Sequence, residues 1–286
     1  MSIVKNNYYL KGNIKNNIKL ALISDIHYSE KLKVSKLYQI NNYLKDKNID
    51  YICVAGDIID YNGFIGNVEH DNEFLTWIQD LGKITKVVIS VGNHDIEIDN
   101  DYNRTWNNAF FDKMKNIENV IFLDNDIYED NNLRFLGYTS IYDHHDSLKN
   151  MDLYINDYNK VFGEVPKDKY NILMCHSPKM VLKDEIFTKL CISNSVNLIL
   201  SGHMHNGMYL PIMEKFSHSN RGLISPYKEI FPKIARGHIR KDYENNSVDY
   251  VISGGVTKLS QTSAGFLIHF GFMYPPHVEI ISIEGE

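Results

Sequence analysis

The segment from Lys86 to Asp95, KVVISVGNHD, joins an apolar run to a group of metal-binding residue types. Residues 86–91 form a short, largely apolar run that is rich in β-branched side chains, which predicts a buried strand. A glycine then lets the chain turn, and Asn93, His94 and Asp95 follow at once. Because ligands of open α/β sheets gather beyond the carboxyl ends of the strands, this segment predicts both a sheet and a binding site at its edge.

The same alternation of apolar runs and polar turns extends along the chain. Further strands are predicted at residues 18–24, 51–55, 120–123, 133–138, 170–175, 197–200, 250–253, 266–270 and 278–283. Helices are predicted at residues 31–47, 72–81, 102–116 and 151–162, and another is expected to begin after Ser177-Pro178, which has the form of an N-cap followed by proline. Strands that alternate with helices indicate βαβ units and at least one largely parallel sheet.

The domain organisation is predicted to be simple. Residues 1–286 show no internal repeat, low-complexity tract or Pro/Gly-rich linker, which favours a single domain. The stretch at about 206–246 is the exception, because it has few periodic signals and several prolines and glycines. We interpret it as a long excursion from the core, of a length typical of functional or disordered loops.

Composition excludes several classes of protein. Hydrophobic residues make up 43% and charged residues 23% of the 286 residues, as in a globular protein. Three cysteines do not form a disulfide framework and suit a reducing compartment. The net charge of −6 argues against stable nucleic-acid binding, and no apolar run approaches the ~20 residues of a membrane span. With no signal peptide at its start, we expect a cytoplasmic protein; no sequence feature indicates its oligomeric state.

Metal-binding residue types follow almost every predicted strand. In chain order these blocks are Asp25-x-His27, Gly56-Asp57-x-x-Asp60, Gly92-Asn93-His94-Asp95, His176 and Gly202-His203-x-His205. By chance, GNHD occurs in roughly 0.2% of chains of this length and GDxxD or GHxH in about 4% each, whereas a DxH pair carries no information. The three blocks together have a chance frequency on the order of a few in a million, which indicates one shared site.

The order and spacing of these blocks resemble the calcineurin-like metallophosphoesterase superfamily. Its pattern is D-x-H, GD-x-x-D, GNH-D/E, H and GH-x-H, and the resemblance covers roughly residues 20–210. It implies an α/β fold in which two facing mixed β-sheets are flanked by helices, a four-layer sandwich. It also implies a dinuclear metal site at one edge of the sheets.

The resemblance assigns the metal ligands position by position. The first metal ion would be held by Asp25, His27 and His205, the second by Asn93, His176 and His203, and Asp57 would bridge the two. Carboxylate, amide and imidazole donors without thiolate suit two divalent ions, Mn²⁺ before Fe or Zn²⁺, and argue against a structural zinc site.

The resemblance also assigns catalytic roles. His94 would protonate or stabilise the leaving oxygen, a task suited to a histidine with an ordinary pKa of ~6.5. Asp60 would orient His94, while Asp95 is left out of the ligand set as a structural residue. The implied reaction is in-line attack of metal-bound hydroxide on phosphorus.

This sequence departs from the patterns of particular subfamilies, and the departures argue against some of the functions found in the superfamily. Tyr61-Asn62 after Asp60 and Asp95 after His94 argue against a protein phosphatase, which carries Arg-Gly and Glu there. The absence of heptads or a separate basic domain argues against a DNA-repair nuclease. The string GHMHNGMYLPI and the later GGVTKLS resemble bacterial phosphohydrolases, although Met208 stands where glutamine is common.

We therefore predict a phosphoesterase acting on a small or mid-sized phosphate ester, with a diester slightly preferred. The alternatives are a phosphomonoesterase, a nuclease, or a non-catalytic binding scaffold of the same fold. Basic residues of the excursion would either guide an anionic substrate, with Arg221 or Arg236 as a phosphate clamp, or form a solvated face. They are Lys215, Arg221, Lys228, Lys233, Arg236, Arg240 and Lys241.

Overall fold

Two mixed six-stranded sheets form the centre of the protein. The computed structural model describes residues 3–61, 65–99, 101, 103–130, 132–140, 151–178, 185–208, 220–226, 229–244, 246–257 and 275–285. Within them, the first sheet has the order β1-β14-β2-β3-β4-β7 and the second has the order β12-β13-β11-β10-β9-β8.

The first sheet is parallel over four neighbouring strands. Its strands are β1 (Val4–Gly12), β14 (His277–Gly285), β2 (Ile18–Ile23), β3 (Tyr51–Ala55), β4 (Lys86–Ser90) and β7 (Val120–Leu123). The last four run parallel to one another, and β14 lies antiparallel to β2. All five residues of β3 are buried, as its unbroken apolar sequence YICVA requires.

The second sheet has a parallel centre and antiparallel edges. Its strands are β12 (Gly237–Tyr243), β13 (Asn246–Ile252), β11 (Val196–Ser201), β10 (Tyr170–Cys175), β9 (Leu133–Tyr138) and β8 (Asp126–Glu129). The four central strands are parallel, whereas β12 and β8 pair antiparallel with their neighbours.

Helices cover the sheets. They are α1 (Tyr38–Leu44), α2 (Val68–Gly82), α3 (Asn108–Lys115), α4 (Met151–Phe162) and α5 (Glu185–Ser193), and a small ribbon pairs β5 (Glu97–Ile98) with β6 (Arg104–Thr105). Asparagine caps fix two helix starts: Asn67 Oδ1 accepts the His70 N–H at 3.2 Å, and Asn107 Oδ1 accepts the Phe110 N–H at 3.0 Å. None of the helices that the structure describes is long and apolar enough to cross a bilayer.

Three large apolar clusters separate the layers. Trp77 and Phe111 pack α2 and α3 on one face of the first sheet. Val88 and Leu200 belong to the cluster that joins the two sheets, and Tyr158 packs α4 on the far face of the second sheet. The order helix, sheet, sheet, helix confirms the predicted four-layer α/β sandwich.

Several predicted elements differ from the structure. The excursion at 206–246 contains strand β12, which was missed because its sequence GHIRKDY is mostly polar, as suits an edge strand. Strands β1 and β8 were also missed, and both lie at sheet edges: β1 alternates exposed and partly buried residues along most of its length, and β8 is mostly exposed.

Two helices are shorter than predicted. The helix expected at 31–47 is α1 with a single 3₁₀ turn before it, and the one expected at 102–116 starts at α3 because Asn107 caps it there. The strand predicted at 266–270 lies outside the described residues, as does the start of the helix expected after Ser177-Pro178.

Replacing Leu200 by alanine should weaken the contact between the sheets. The side chain is fully buried between them, so we expect the variant to lose about 2–5 kcal/mol of unfolding free energy in urea titration. The control Ile127→Ala, at an edge position with 42% exposure, should lose less than about 1 kcal/mol. Equal losses in the two variants would contradict the assignment of Leu200 to the inter-sheet core.

Candidate metal centre

The polar blocks of the sequence lie where parallel strands end. The blocks of the first sheet follow β2, β3 and β4, which are neighbours, and those of the second follow β10 and β11, also neighbours. The His203 N–H donates to Asp25 Oδ1 at 3.0 Å and thereby links a loop of the second sheet to one of the first. Ligand residues from both sheets therefore reach one site.

The backbone around the site is held in unusual conformations. Five of the predicted ligands have positive φ, between 45° and 68°: Asp25, His27, Asp57, His203 and His205. This left-handed region disfavours a residue with a Cβ atom, although aspartate and histidine enter it more readily than most. The loop bonds compensate, because Asp57 O accepts the N–H groups of both Ile26 (2.8 Å) and His27 (3.0 Å).

Carboxylates and imidazoles converge in three overlapping groups. Asp25, His27 and His205 form one, His27, Asp57 and His94 another, and Asp57, His176 and His203 the third. Within each group the candidate ligand atoms lie within 4.8 Å of one another. Asp57 thus belongs to two groups, which is the arrangement that a bridging carboxylate needs.

Asn93 completes the predicted ligand set. It lines a small cavity together with His176, and its Oδ1 is buried with no hydrogen-bond partner among the residues that the structure describes. An amide oxygen in that condition is costly unless it meets a cation or a donor. The structure therefore brings all seven predicted ligands to one region.

Hydrogen bonds orient the histidine rings. His176 Nδ1 pairs with Ala55 O at 2.7 Å, and His205 Nδ1 pairs with Thr257 O at 3.1 Å. Their Nε2 atoms then face carboxylates, at 3.0 Å from Asp57 Oδ2 and 3.7 Å from Asp25 Oδ1 respectively. Histidines that bind metals are commonly fixed in this way through the other ring nitrogen.

Asp60 contacts two histidines rather than one. Its backbone carbonyl accepts from His94 Nδ1 at 2.7 Å, while its carboxylate Oδ1 lies 3.2 Å from His27 Nδ1 and 3.8 Å from His94 Nδ1. The sequence pairs Asp60 with His94, whereas in the structure the carboxylate lies nearer the ligand candidate His27. Nothing in the linear spacing distinguishes these two partners.

The surroundings of Asp57 favour its ionised carboxylate, which in turn attracts positive charge. Burial opposes ionisation of this carboxyl, but His176, His94 and His27 together hold its pKa well below the ordinary value. Burial likewise opposes the charged ring of His176, yet the Asp57 carboxylate outweighs it and raises the pKa of His176 to about 10. Burial lowers the pKa of His205 to about 4, which leaves that ring neutral at pH 7 and able to bind a metal.

The donor set fits divalent cations. Besides Asn93 Oδ1, the buried atom His27 Nε2 has no hydrogen-bond partner within the described part of the chain. Oxygen and imidazole donors arranged around buried carboxylates match Mn²⁺, Fe or Zn²⁺ and supply the negative charge that such ions require.

Asp95 fastens two ligand loops together. Its Oδ1 accepts the N–H groups of Ile58 (2.8 Å) and Ile59 (2.9 Å), and its Oδ2 accepts the Gly92 N–H at 2.7 Å. Gly92 permits this close approach, because a Cβ atom there would lie 2.2 Å from Asp57 N. Asp95 is therefore a structural clamp, in line with its exclusion from the predicted ligands.

Further residues of the site escape the motif analysis. Ser24 Oγ donates to Asp25 Oδ2, Thr257 Oγ1 donates to Ile26 O at 2.8 Å, and the Thr257 carbonyl orients His205. In the sequence, the GGVT string at residues 254–257 is the signal that could have indicated that Thr257 lies in the site. Of the predicted phosphate clamps, Arg221 is exposed, and Arg236 is half-buried with its charge acting on Tyr8.

Asp95→Ala should loosen the centre without removing a ligand. Three buried N–H groups lose their acceptor, so we expect a loss of about 2–4 kcal/mol in urea unfolding. We also expect Mn²⁺ affinity, measured by calorimetry, to fall by about 10–100-fold. Asp99→Ala is the matched control, because this exposed carboxylate also accepts three local N–H bonds and lies outside the centre. Unchanged stability in Asp95→Ala would rule out the clamp.

Known proteins resemble this chain over the same region. A model of the calcineurin-like phosphoesterase family matches residues 18–207. A Caenorhabditis elegans protein named as a metallophosphoesterase is 28% identical over 69% of this chain and 38% of its own length. Uncharacterized metallophosphoesterases of Campylobacter jejuni and Helicobacter pylori J99 are each 24% identical, over 70% and 68% of this chain and 47% and 46% of their own lengths.

The chain spans about half or less of the length of these curated relatives. A solved structure described as a 5′-nucleotidase from Staphylococcus aureus in complex with alpha-ketoglutarate shares 14% identity. Its match covers 85% of this chain and 50% of that one, with a TM-score of 0.40. On the family match, which extends from β2 to the loop after β11 and includes all the ligand blocks, this chain belongs to the calcineurin-like phosphoesterase family.

Proposed function

We propose that this chain is a dinuclear metal-dependent phosphoesterase. The observation that carries the proposal is the position of Asp57, whose buried carboxylate belongs to two groups of ligand atoms at once. One group contains His27, which also belongs to the group with Asp25 and His205, and the other contains His176 and His203. A carboxylate shared in this way is typical of two-metal hydrolytic sites, whose ions lie ~3.5–4 Å apart.

Asp25, His27 and His205 would hold the first ion, and Asn93, His176 and His203 the second. When bound, two divalent ions supply Lewis acidity to the phosphoryl oxygens and lower the pKa of water to about 7. We favour Mn²⁺ over Fe or Zn²⁺. The protein contributes fixed donors, since ring nitrogens and carboxylates are already locked by bonds to Ala55, Thr257 and Ser24.

His94 is the proposed catalytic acid. Its side chain is 20% exposed, whereas Asp57, Asp60 and His27 beside it are almost fully buried, so its ring faces the open side of the centre. Nδ1 is engaged by Asp60 O, which leaves Nε2 to deliver a proton to the leaving oxygen. Its backbone N–H donates to Asp57 Oδ1 at 2.9 Å and fixes the ring relative to the bridging carboxylate.

Replacing His94 by alanine should separate catalysis from metal binding. We expect kcat on a nitrophenyl phosphate ester to fall by about 10²–10⁴-fold, with metal content per chain nearly unchanged by elemental analysis. Asp57→Asn is the matched contrast and should lose metal and activity together, because it removes the shared carboxylate charge. A His94→Ala protein whose activity falls only in proportion to its metal would contradict the assigned role.

The substrate we propose is a small or mid-sized phosphate ester, with a diester slightly preferred. Support for the diester comes from the resemblance to the calcineurin-like metallophosphoesterase superfamily. The proposed location is the cytoplasm, in keeping with three cysteines that are buried free thiols.

A substrate panel tests the whole proposal. After chelation and removal of metal, we expect no turnover of nitrophenyl phosphate or bis-nitrophenyl phosphate, and recovery on addition of Mn²⁺. The ratio of kcat/KM for the two esters decides between diesterase and monoesterase. Cleavage of single-stranded DNA or RNA would instead favour a nuclease, and no turnover with Mn²⁺, Fe²⁺ or Zn²⁺ would favour a non-catalytic scaffold.

A further inference from the structure

Residues 222–225 and 229–232 pair as two short antiparallel arms, which we call the hairpin. Its backbone is paired at three levels: the Gly222 N–H donates to Pro232 O at 3.3 Å, the Phe231 N–H to Leu223 O at 2.8 Å, and the Ser225 N–H to Glu229 O at 2.9 Å. Ile224 and Ile230 form an antiparallel bridge between the second and third of these bonds.

The hairpin is attached to the loop that carries His205. Gly207 O accepts the N–H groups of Leu223 (2.7 Å) and Ile224 (3.2 Å). Glycine is required there, because a Cβ on Gly207 would lie 2.2 Å from Gly222 Cα. The hairpin is therefore anchored two residues along the chain from His205, a proposed metal ligand.

The hairpin exposes a concentration of apolar side chains. Ile224, Ile230 and Phe231 are 48%, 71% and 68% exposed, and they are three of the eight large hydrophobic residues exposed in the described part of the chain. Single exposed apolar residues are ordinary, whereas a cluster marks an interaction surface. Ile224 and Ile230 face each other across the two arms, so they form one continuous apolar pair.

Phe231 also adopts a φ of 55°, which is sterically unfavourable for a bulky side chain. The local fold therefore neither buries the Phe231 side chain nor gives its backbone a favourable conformation.

Basic residues flank these apolar side chains in the sequence. Between residues 220 and 236 the sequence has four basic residues and one acidic residue, in a chain whose net charge is −6. Among them, Arg221 and Lys233 are exposed on either side of the hairpin arms. Aromatic and aliphatic side chains flanked by Lys and Arg are the combination that enters the interface of anionic membranes.

We propose that this hairpin inserts Ile224, Ile230 and Phe231 into the surface of a bilayer containing anionic lipid. Ile230 and Phe231 are 71% and 68% exposed, and a deformable lipid interface accepts such side chains without a complementary pocket. The neighbouring Arg221 and Lys233 side chains favour binding to anionic headgroups over neutral ones. Because of the bonds to Gly207, a bound chain holds its metal centre next to the membrane surface.

Vesicle co-sedimentation of the full chain tests this proposal. We expect binding to vesicles of equal parts phosphatidylcholine and phosphatidylglycerol, little binding to phosphatidylcholine alone, and weakening by salt. A chain of net charge −6 is otherwise repelled by such vesicles. The double variant Ile230→Thr, Phe231→Asn should lower the partition coefficient by about tenfold or more, since asparagine tolerates the positive φ and both changes remove apolar surface.

Matched controls come from exposed residues elsewhere. Val68→Thr makes an apolar side chain of 66% exposure on α2 polar and should leave vesicle binding unchanged. Lys233→Glu should weaken binding to the anionic vesicles by about tenfold, whereas Lys113→Glu on α3 should have little effect. Thermal unfolding and bis-nitrophenyl phosphate turnover of the double variant should match those of the unaltered chain, which excludes misfolding.

Failure of the unaltered chain to bind, or equal binding by the double variant, would overturn the proposal. Light scattering gives the competing outcome: if the double variant converts a dimer to a monomer, the surface joins two copies of the chain and the lipid proposal is wrong.

Discussion

The centre depends on how two sheets bring their carboxyl-terminal edges together. Asp25 follows a strand of the first sheet and His203 a strand of the second, and the bond from the His203 N–H to the Asp25 carboxylate spans the junction. The apolar cluster between the sheets holds this junction in register. If the sheets slid apart, the donors from the two sheets would no longer share one small volume.

That convergence stores strain in the backbone. Each of the five ligand candidates at positive φ sits in a region that carries about 1–3 kcal/mol for a residue other than glycine. The surrounding bonds hold these conformations: Asp57 O binds two N–H groups of the Asp25 loop, and Asp95 clamps the Asp57 and Gly92 loops. The strain and the pKa shifts share one origin, because tight turns are what bring Asp57 and the histidines within a few ångströms.

The protein surface beside the centre has a different character. The ligand loops are buried and rigidly bonded, while the hairpin that rests on Gly207 exposes apolar and basic side chains. The proposed chemistry and the proposed membrane contact would thus lie on adjacent pieces of the same loop system, joined at Gly207.

The sequence by itself determined the strands with unbroken apolar runs and the ligand blocks that follow them. Strand β3, for example, was predicted with its observed ends, because a buried parallel strand has a local composition signal. The edge strands β1, β8 and β12 were missed, since their half-exposed sequences resemble loops and they are strands only through their pairing partners.

Only the tertiary structure decided that the Asp60 carboxylate lies nearer His27 than His94, that Asp95 ties two loops, and that Thr257 orients His205. Most of these contacts join residues more than 30 positions apart along the chain. Local residue preferences contain no information about such distances, which are fixed by how the sheets pack.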